Sequence, residues 1–161
     1  MIARDIELSR LTGGRVHFCH VTTARGVALI RRAKEDGIPV SAECTTHHLT
    51  LTDAACDGFN TQAKCSPPLR TEADIEGLLQ GLRDGTIDCI ASDHAPHEAD
   101  TKECDFPQAS NGMLGLQLTV PLALAQVRSG ALTLPRVVDA LTSAPARCFN
   151  LPVPRLKKGG V

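Results

Sequence analysis

Three apolar segments of the chain each end in a side chain that can bind a metal. His20 closes the segment 15–20, His47 follows the segment 38–44, and Asp93 follows the segment 87–91. Zinc accepts imidazole nitrogen and carboxylate oxygen, so these side chains predict a metal site if the segment ends meet. One such residue alone can be a packing or capping group, but three in equivalent positions favour a functional site.

Asp93 has a second predicted role, in proton transfer. A metal lowers the pKa of its water from 15.7 to about 7. A neighbouring carboxylate can then take the released proton and pass it to a leaving nitrogen, which makes Asp93 both ligand and catalytic acid/base. His97 follows four residues later and is placed to donate to a substrate oxygen or carboxylate. The alternative reading is that the Asp-His pair only caps the next turn.

Hydrophobic periodicity predicts the elements that must position these side chains. Strands are predicted at residues 15–20, 38–44, 62–68 and 87–91. Helices are predicted at residues 2–12, 24–36, 71–83, 113–127 and 134–141. Strict alternation in the first strand puts His20 on the face of Val16 and Phe18. The polar residues 98–112 are predicted to form a lid or a substrate loop.

The order of these elements predicts the fold class. Strand, polar exit, helix and strand alternate, which is typical of a parallel α/β sheet with right-handed crossovers. A closed (β/α)₈ barrel has about 250 residues and carries its catalytic groups at the carboxyl ends of the strands. With 161 residues, the chain is expected to form a partial (β/α)₈ TIM-type barrel, roughly half of one.

Composition excludes several classes of partner. The net charge of -1 argues against nucleic acid or an acidic membrane, and the lack of Trp and Tyr argues against base stacking. No apolar run approaches the roughly 20 residues of a membrane span, and the charged N-terminus is unlike a signal peptide. Seven cysteines without a C-x-x-C spacing predict neither a disulfide framework nor a zinc ribbon. We therefore expect a cytoplasmic protein.

Four motifs resemble those of a known enzyme family. They are VHFCHVTT at 16–23, ECTTHHL at 43–49, KCSPPLR at 64–70 and DCIASDHAPH at 88–97. In order and spacing they are similar to the C-terminal half of the catalytic barrel of class I (bacterial-type) dihydroorotases, in the amidohydrolase superfamily. The resemblance extends from Met1 to about Pro152.

The resemblance implies a zinc enzyme of pyrimidine biosynthesis. Its reaction would be the reversible cyclisation of N-carbamoyl-L-aspartate to dihydroorotate. Carried over position by position, it implies His20, His47 and Asp93 as metal ligands, with Asp93 also the catalytic acid/base. The implied substrate-binding residues are Ser66, His97, Asn111 and Gly112.

Departures from the family pattern leave the cyclic amide open. The family has Asn where this chain has Ser66, Phe where it has Asn111, and Pro where it has Thr46. The shorter Ser66 hydroxyl keeps a donor and an acceptor but loses reach. The KCSPPLR motif is closer to hydantoinases and allantoinases, which is the alternative enzymatic reading, whereas the second histidine of DHAPH is like that of dihydroorotases.

Features that the family carries elsewhere define a third reading. Family members have an early His-x-His pair and a small β domain, and no His-x-His occurs in this sequence. We expect residues 1–152 to form a C-terminal half-barrel with an incomplete metal site, and residues 153–161 to lead toward the β domain. Such a chain is expected to turn over little by itself and to expose a sheet edge that favours association. The noncatalytic alternative is a scaffold subunit of aspartate transcarbamoylase. The macromolecular partners expected are a second copy of the chain, in a homodimer, or aspartate transcarbamoylase.

Overall fold

The computed structural model of the chain describes residues 1–153 and 158. The strands are β1 Val16–Phe18, β2 Val40–Thr45 and β3 Cys89–Ala91. The helices are α1 Ile2–Thr12, α2 Ala24–Glu35, α3 Glu72–Asp84, α4 Ala99–Lys102, α5 Leu116–Arg128, α6 Leu134–Leu141 and α7 Ser143–Cys148. Short 3₁₀ turns cover His47–Leu49, Asp53–Phe59 and Thr61–Ala63.

The strands form a parallel sheet in the order β1-β2-β3. Phe18 pairs with Ala42, and Thr45 pairs with Ala91, so the three carboxyl ends lie along one edge of the sheet. This arrangement confirms the predicted α/β class. It also places the segments that follow the strands, which carry the predicted chemistry, side by side.

The two faces of β2 differ in character. Val40, Ala42 and Cys44 belong to the hydrophobic core, which also contains fully buried side chains of α2 and α3. On the opposite face, Ser41 accepts or donates a 2.7 Å hydrogen bond with His17 Nδ1, and Glu43 lies 3.5 Å from His17 Nε2. One face is therefore the helix-covered core, and the other is the polar interior of the partial barrel.

Helix caps fix where the two central helices begin. The Thr23 hydroxyl accepts from Gly26 N–H at 3.0 Å at the start of α2. Thr71 and Asp74 form a capping box on α3, and Asp74 Oδ1 also accepts from Ala24 N–H at 3.0 Å. The same carboxylate thus joins the N-termini of two neighbouring helices.

Two strand predictions were wrong. Residues 62–68 form a 3₁₀ turn and bends rather than a strand, since Pro67 and Pro68 lack the N–H groups that a sheet ladder needs. The described part of the chain therefore has three strands in the sheet, not four. The first strand ends at Phe18, because His20 adopts φ +53° and leaves the extended conformation. This turn directs His20 toward Glu43 on the interior face, not to the face of Phe18.

The helix predicted from residue 113 begins three residues later, at Leu116. Met113 instead pairs with the segment after β3, where its carbonyl accepts from Ala95 N–H at 3.1 Å. No helix in the described residues has the length and apolar character to cross a membrane. Most of the predicted tail 153–161 lies outside the described residues, at 154–157 and 159–161.

Candidate metal centre

His20, His47 and Asp93 meet at the carboxyl edge of the sheet, and we call these three residues the metal rim. His20 Nε2 lies 3.6 Å from Asp93 Oδ1, and His47 Nε2 lies 3.8 Å from Asp93 Oδ2. Each residue lies two positions after the last residue of a strand. The predicted convergence is therefore present, with two imidazoles facing the two oxygens of one carboxylate.

The backbone of the metal rim is strained. His20 has φ +53° and Asp93 has φ +44°, a left-handed conformation that is uncommon for residues other than glycine. Such conformations cost about 1–3 kcal/mol each and cluster where a side chain must be aimed at a functional site. Two of the four non-glycine residues with positive φ in the described chain thus belong to the rim, the others being Phe59 and Asn150, and the unusual φ turns the His20 and Asp93 side chains out of the strand direction.

His47 is a buried histidine without a hydrogen-bonding partner. Its exposed fraction is 4%, and neither Nδ1 nor Nε2 has a partner in the structure. Burial lowers the pKa of His47 to about 4, so its imidazole is neutral and able to donate a lone pair at neutral pH. An unsatisfied buried polar group costs about 1–3 kcal/mol, and a bound cation would remove that cost.

Glu43 lies next to His20 of the rim and was not predicted as a site residue. Its Oε1 lies 2.9 Å from His20 Nδ1, although the two groups are not aligned as a hydrogen bond. Burial alone would raise the pKa of Glu43, but His17 and His20 lower it to about 2. The Glu43 carboxylate in turn raises the pKa of His20. In the sequence, the signal that could have identified Glu43 was a charged residue within a strand that is otherwise uncharged.

Two neighbouring histidines have structural roles. His48 is buried, and its Nδ1 and Nε2 contact Thr45 Oγ1 at 2.6 Å and the Pro67 carbonyl at 2.9 Å. His94 Nδ1 accepts from the N–H groups of Gly115 and Leu116, both at 3.1 Å, at the start of α5. His94 therefore caps the start of α5 rather than the turn after Asp93, and His47 and Asp93 make no such hydrogen bond among the described residues.

The residues predicted to bind substrate lie on the loops beside the rim. His97 Nε2 is 2.9 Å from the Asn111 carbonyl. Gly112 has φ +141°, and a Cβ there would lie 2.6 Å from the Ala95 carbonyl and 3.1 Å from His97 Nε2. The absence of a side chain at Gly112 therefore allows the loop to pack against the segment that follows Asp93.

Ser66 and Asn111 line one cavity of about 290 Å³, which we call the loop pocket. Its other walls include Cys56, Lys64, Pro68 and Phe106. The pocket lining is mainly apolar, with the two polar side chains near its mouth exposed. Ser66 and Asn111 thus line the same pocket. His97 contacts the Asn111 carbonyl, and Gly112 packs against Ala95 and His97.

Two lysines hold the loop 98–112 against the pocket. Lys64 Nζ donates to the carbonyls of Phe106, Pro107 and Ala109 at 2.6–3.0 Å. The buried Lys102 donates to the carbonyls of Thr61 and Ser110, both at 2.9 Å, and burial lowers its pKa. Gly112 N–H also donates to the Lys64 carbonyl at 2.9 Å. The segment predicted as a lid or substrate loop is therefore anchored by many backbone contacts.

The donor set of the rim fits a divalent cation. Two imidazoles and one carboxylate are ligands that zinc and similar ions accept. Both ring nitrogens of His47 lack a hydrogen-bond partner. Glu43 lies next to His20 Nδ1, and metal-binding histidines commonly have a carboxylate beside the ring nitrogen that does not bind the metal. The residues present can hold a metal, and they leave further coordination positions to other groups.

Comparison with known proteins identifies similar chains. A model described as "Amidohydrolase family" matches residues 4–160. A dihydroorotase of Anaeromyxobacter dehalogenans (strain 2CP-C) is 50% identical over 161 residues, which are 99% of this chain and 37% of that protein. The chain thus spans little more than a third of this relative.

Solved structures give the same relationship. The L-hydantoinase (dihydropyrimidinase) from Arthrobacter aurescens superposes with a TM-score of 0.87 at 33% identity, covering 92% of this chain and 34% of that one. The inactive dihydroorotase-like domain of the Chaetomium thermophilum CAD-like multifunctional protein gives a TM-score of 0.73 at 26% identity, covering 95% and 42%. Because the family match covers nearly the whole sequence, the chain belongs to the amidohydrolase family, and its α/β fold is part of that family's barrel.

Proposed function

We propose that the chain contributes the metal rim of a zinc-dependent cyclic amidohydrolase, with dihydroorotate and N-carbamoyl-L-aspartate as its substrates. The observation that carries this proposal is the position of the Asp93 carboxylate between two imidazoles, with Oδ1 3.6 Å from His20 Nε2 and Oδ2 3.8 Å from His47 Nε2. The relative that is 50% identical and named dihydroorotase supports the choice of reaction. Zinc is the proposed ion because imidazole and carboxylate are its usual ligands in hydrolases.

His20 and His47 hold the metal in this proposal. When bound, zinc polarises the amide carbonyl and lowers the pKa of water to about 7. His47 remains neutral at the pH of the reaction, since burial lowers its pKa to about 4. Glu43 lies behind His20 Nδ1, which leaves Nε2 directed toward Asp93 and the ion.

Asp93 moves the proton. Its two oxygens face both histidines of the rim, and its side chain is partly exposed, so it can reach a substrate. In the ring-opening direction, Asp93 accepts a proton from water and delivers it to the leaving amide nitrogen. In the cyclisation direction the same carboxylate takes the proton from that nitrogen.

The loops position the substrate. His97 is held through Nε2 by the Asn111 carbonyl, and we propose that it contacts a substrate oxygen or carboxylate. Ser66 and Asn111 present a hydroxyl and an amide at the loop pocket. Gly112 lets this wall approach residues 95–97.

A hydantoinase-like substrate preference is the second candidate. It is favoured by the Ser66 hydroxyl at the loop pocket and by the 33% identity with an L-hydantoinase. The third candidate is a noncatalytic subunit, in a homodimer or with aspartate transcarbamoylase, because one neighbour is described as an inactive dihydroorotase-like domain of a multifunctional protein. Seven free cysteines favour a reducing compartment, so we propose a cytoplasmic location.

A segment exchange separates these candidates. The matching 37% of the Anaeromyxobacter dehalogenans dihydroorotase would be replaced by this chain, and turnover of dihydroorotate, hydantoin and allantoin would be measured. We expect turnover of dihydroorotate, its loss in the Asp93→Asn version, and little turnover by the 161-residue chain alone. Preference for hydantoin or allantoin would support the second candidate, and a folded but inactive chimera would support the third.

A further inference from the structure

A buried cysteine borders the metal rim. Donor atoms of His47, His48 and Cys65 lie within 4.8 Å of one another, and all three residues are buried. The Cys65 thiol contacts the Pro67 carbonyl at 3.2 Å, a weak hydrogen bond for sulfur. Nothing in the proposed amidohydrolase chemistry uses this thiol.

The free donors of this cluster are on Cys65 and His47. His48 is committed through both ring nitrogens, to Thr45 Oγ1 and to the Pro67 carbonyl. His47 has no partner for either nitrogen and is 4% exposed. If the Cys65 thiol loses its proton and its bond to Pro67, His48 Nε2 still satisfies that carbonyl. Cys65 and His47 can therefore bind a cation without leaving a buried acceptor unpaired.

We propose that Cys65 and His47 form a second cation site, selective for thiophilic d¹⁰ ions softer than zinc, such as Cd²⁺. An ion bound there uses His47 and so competes with the metal rim. Binding breaks the S–H bond of Cys65, releases the proton to solvent and forms a sulfur–metal bond, with no change of oxidation state. The site shares His47 with the metal rim but requires neither His20 nor Asp93, so its failure and the failure of the proposed function are distinguishable.

The surroundings of Cys65 explain the selectivity for soft ions. Thiolate sulfur prefers soft cations, whereas the carboxylate of the rim suits borderline or hard ones. The Cys65 thiol is buried and contacts the Pro67 carbonyl, so a cation must bond strongly to sulfur to displace the proton. Zinc is therefore expected at the nitrogen and oxygen donors of the rim, and Cd²⁺ at Cys65.

Cadmium titration of the reduced chain tests this site. The exposed Cys19 and Cys104, and Cys148, whose thiol lies 3.7 Å from that of Cys89, would first be replaced by serine to remove competing thiols. We expect one equivalent of Cd²⁺ to produce the ultraviolet thiolate-to-cadmium absorption. Cys65→Ser should remove that absorption and weaken Cd²⁺ binding by at least about tenfold. Cys56→Ser is the matched control, since Cys56 packs against the same small apolar cluster, and it should leave the absorption intact.

Rim variants separate this site from the proposed function. Asp93→Asn should weaken zinc binding but preserve the cadmium absorption, and His47→Ala should weaken both. Cd²⁺ should displace zinc from the parent protein and not from Cys65→Ser. Cadmium K-edge absorption of the parent protein needs no Cys65 variant and should contain a sulfur ligand. A spectrum without sulfur, or an absorption band that survives Cys65→Ser and Cys65→Ala, would overturn the proposal.

Discussion

The metal rim and the loop pocket lie next to each other but are constructed differently. At the rim, three side chains project from strand ends toward one point, and two of them have strained backbones. At the loop pocket, the side chains of Lys64 and Lys102 donate hydrogen bonds to backbone carbonyls of the loop. Gly112 allows the loop to pack closely against residues 95–97. The rim thus depends on which donors are present, whereas the pocket depends on how the loop is held. Ligand chemistry and substrate shape can therefore be altered separately.

Replacing each of the two adjacent histidines by alanine should produce the largest effect on the rim. His47→Ala removes a proposed ligand, so zinc affinity should fall by at least about 100-fold. His48→Ala removes contacts to Thr45 and Pro67, so the free energy of unfolding should fall by about 2–4 kcal/mol. Zinc titration and urea unfolding of both variants measure these effects. Equal zinc affinity in the two variants would contradict the division of roles.

Glu43→Gln should produce the next largest effect. The variant removes the negative charge beside His20 Nδ1, so zinc affinity should fall by about 10–100-fold, while the loop pocket is unchanged. Isothermal titration with zinc measures the loss. Glu35→Gln, at an exposed position at the end of α2, is the control and should bind zinc like the parent. A loss of the same size in both variants would mean that net charge, not position, is responsible.

Lys102→Met should act on the pocket and spare the rim. It leaves the Ser110 carbonyl without its buried donor, which costs about 1–3 kcal/mol, whereas the Thr61 carbonyl still accepts from Lys64 N–H. Amide hydrogen exchange in residues 98–112 should rise by about tenfold or more, with zinc affinity unchanged. Lys34→Met, which breaks an ion pair with Asp88, is a matched lysine control and should not accelerate exchange in this loop. A loss of zinc binding in Lys102→Met would show that the two regions are coupled.

Acidification should produce the smallest effect, and it should act where Asp74 joins the N-termini of α2 and α3, outside both the rim and the loop pocket. Burial alone raises the pKa of Asp74, but N–H groups of Ala24 and Thr71 and the Thr71 hydroxyl lower it below 3.8. Since the folded-state pKa is the lower one, this stabilisation is present above pH 3.8 and is lost as the pH falls through the folded value. Asp74→Asn should cost less than about 1 kcal/mol at pH 7 and should reduce the acid dependence of the melting temperature. An unchanged acid dependence would rule out this contribution.

The sequence predicted the elements and the rim better than it predicted the loops. Periodicity and caps located α1, α2, α3 and α6, and the recurrence of donors after strands located His20, His47 and Asp93. These features depend on local pattern and on a general property of parallel sheets. The turn of His20 out of its strand was not predictable from alternation, because a positive φ in a non-glycine residue is imposed by its surroundings.

The loop contacts were not predictable for a different reason. Nothing in the sequence pairs Lys64 and Lys102 with particular backbone carbonyls, since a lysine on a polar segment is usually solvated. The sequence of segment 62–68 predicted a strand, but the segment instead contacts the loop 98–112. The Lys64 side chain donates to the Phe106 carbonyl, and the Lys64 carbonyl accepts from Gly112 N–H. Glu43 was visible as a charge in an apolar strand, but its contact with His20 depends on the same turn that alternation missed.

Zinc K-edge X-ray absorption of the chain loaded with one equivalent of zinc identifies the ligand atoms of the rim. We expect nitrogen and oxygen ligands at about 2.0–2.2 Å, with the outer-shell scattering of two imidazoles, reduced to one in His47→Ala. His48→Asn should give the same spectrum as the parent. A first shell containing sulfur at about 2.3 Å, or a spectrum that His47→Ala leaves unchanged, would contradict the assignment of His20, His47 and Asp93 as the metal rim.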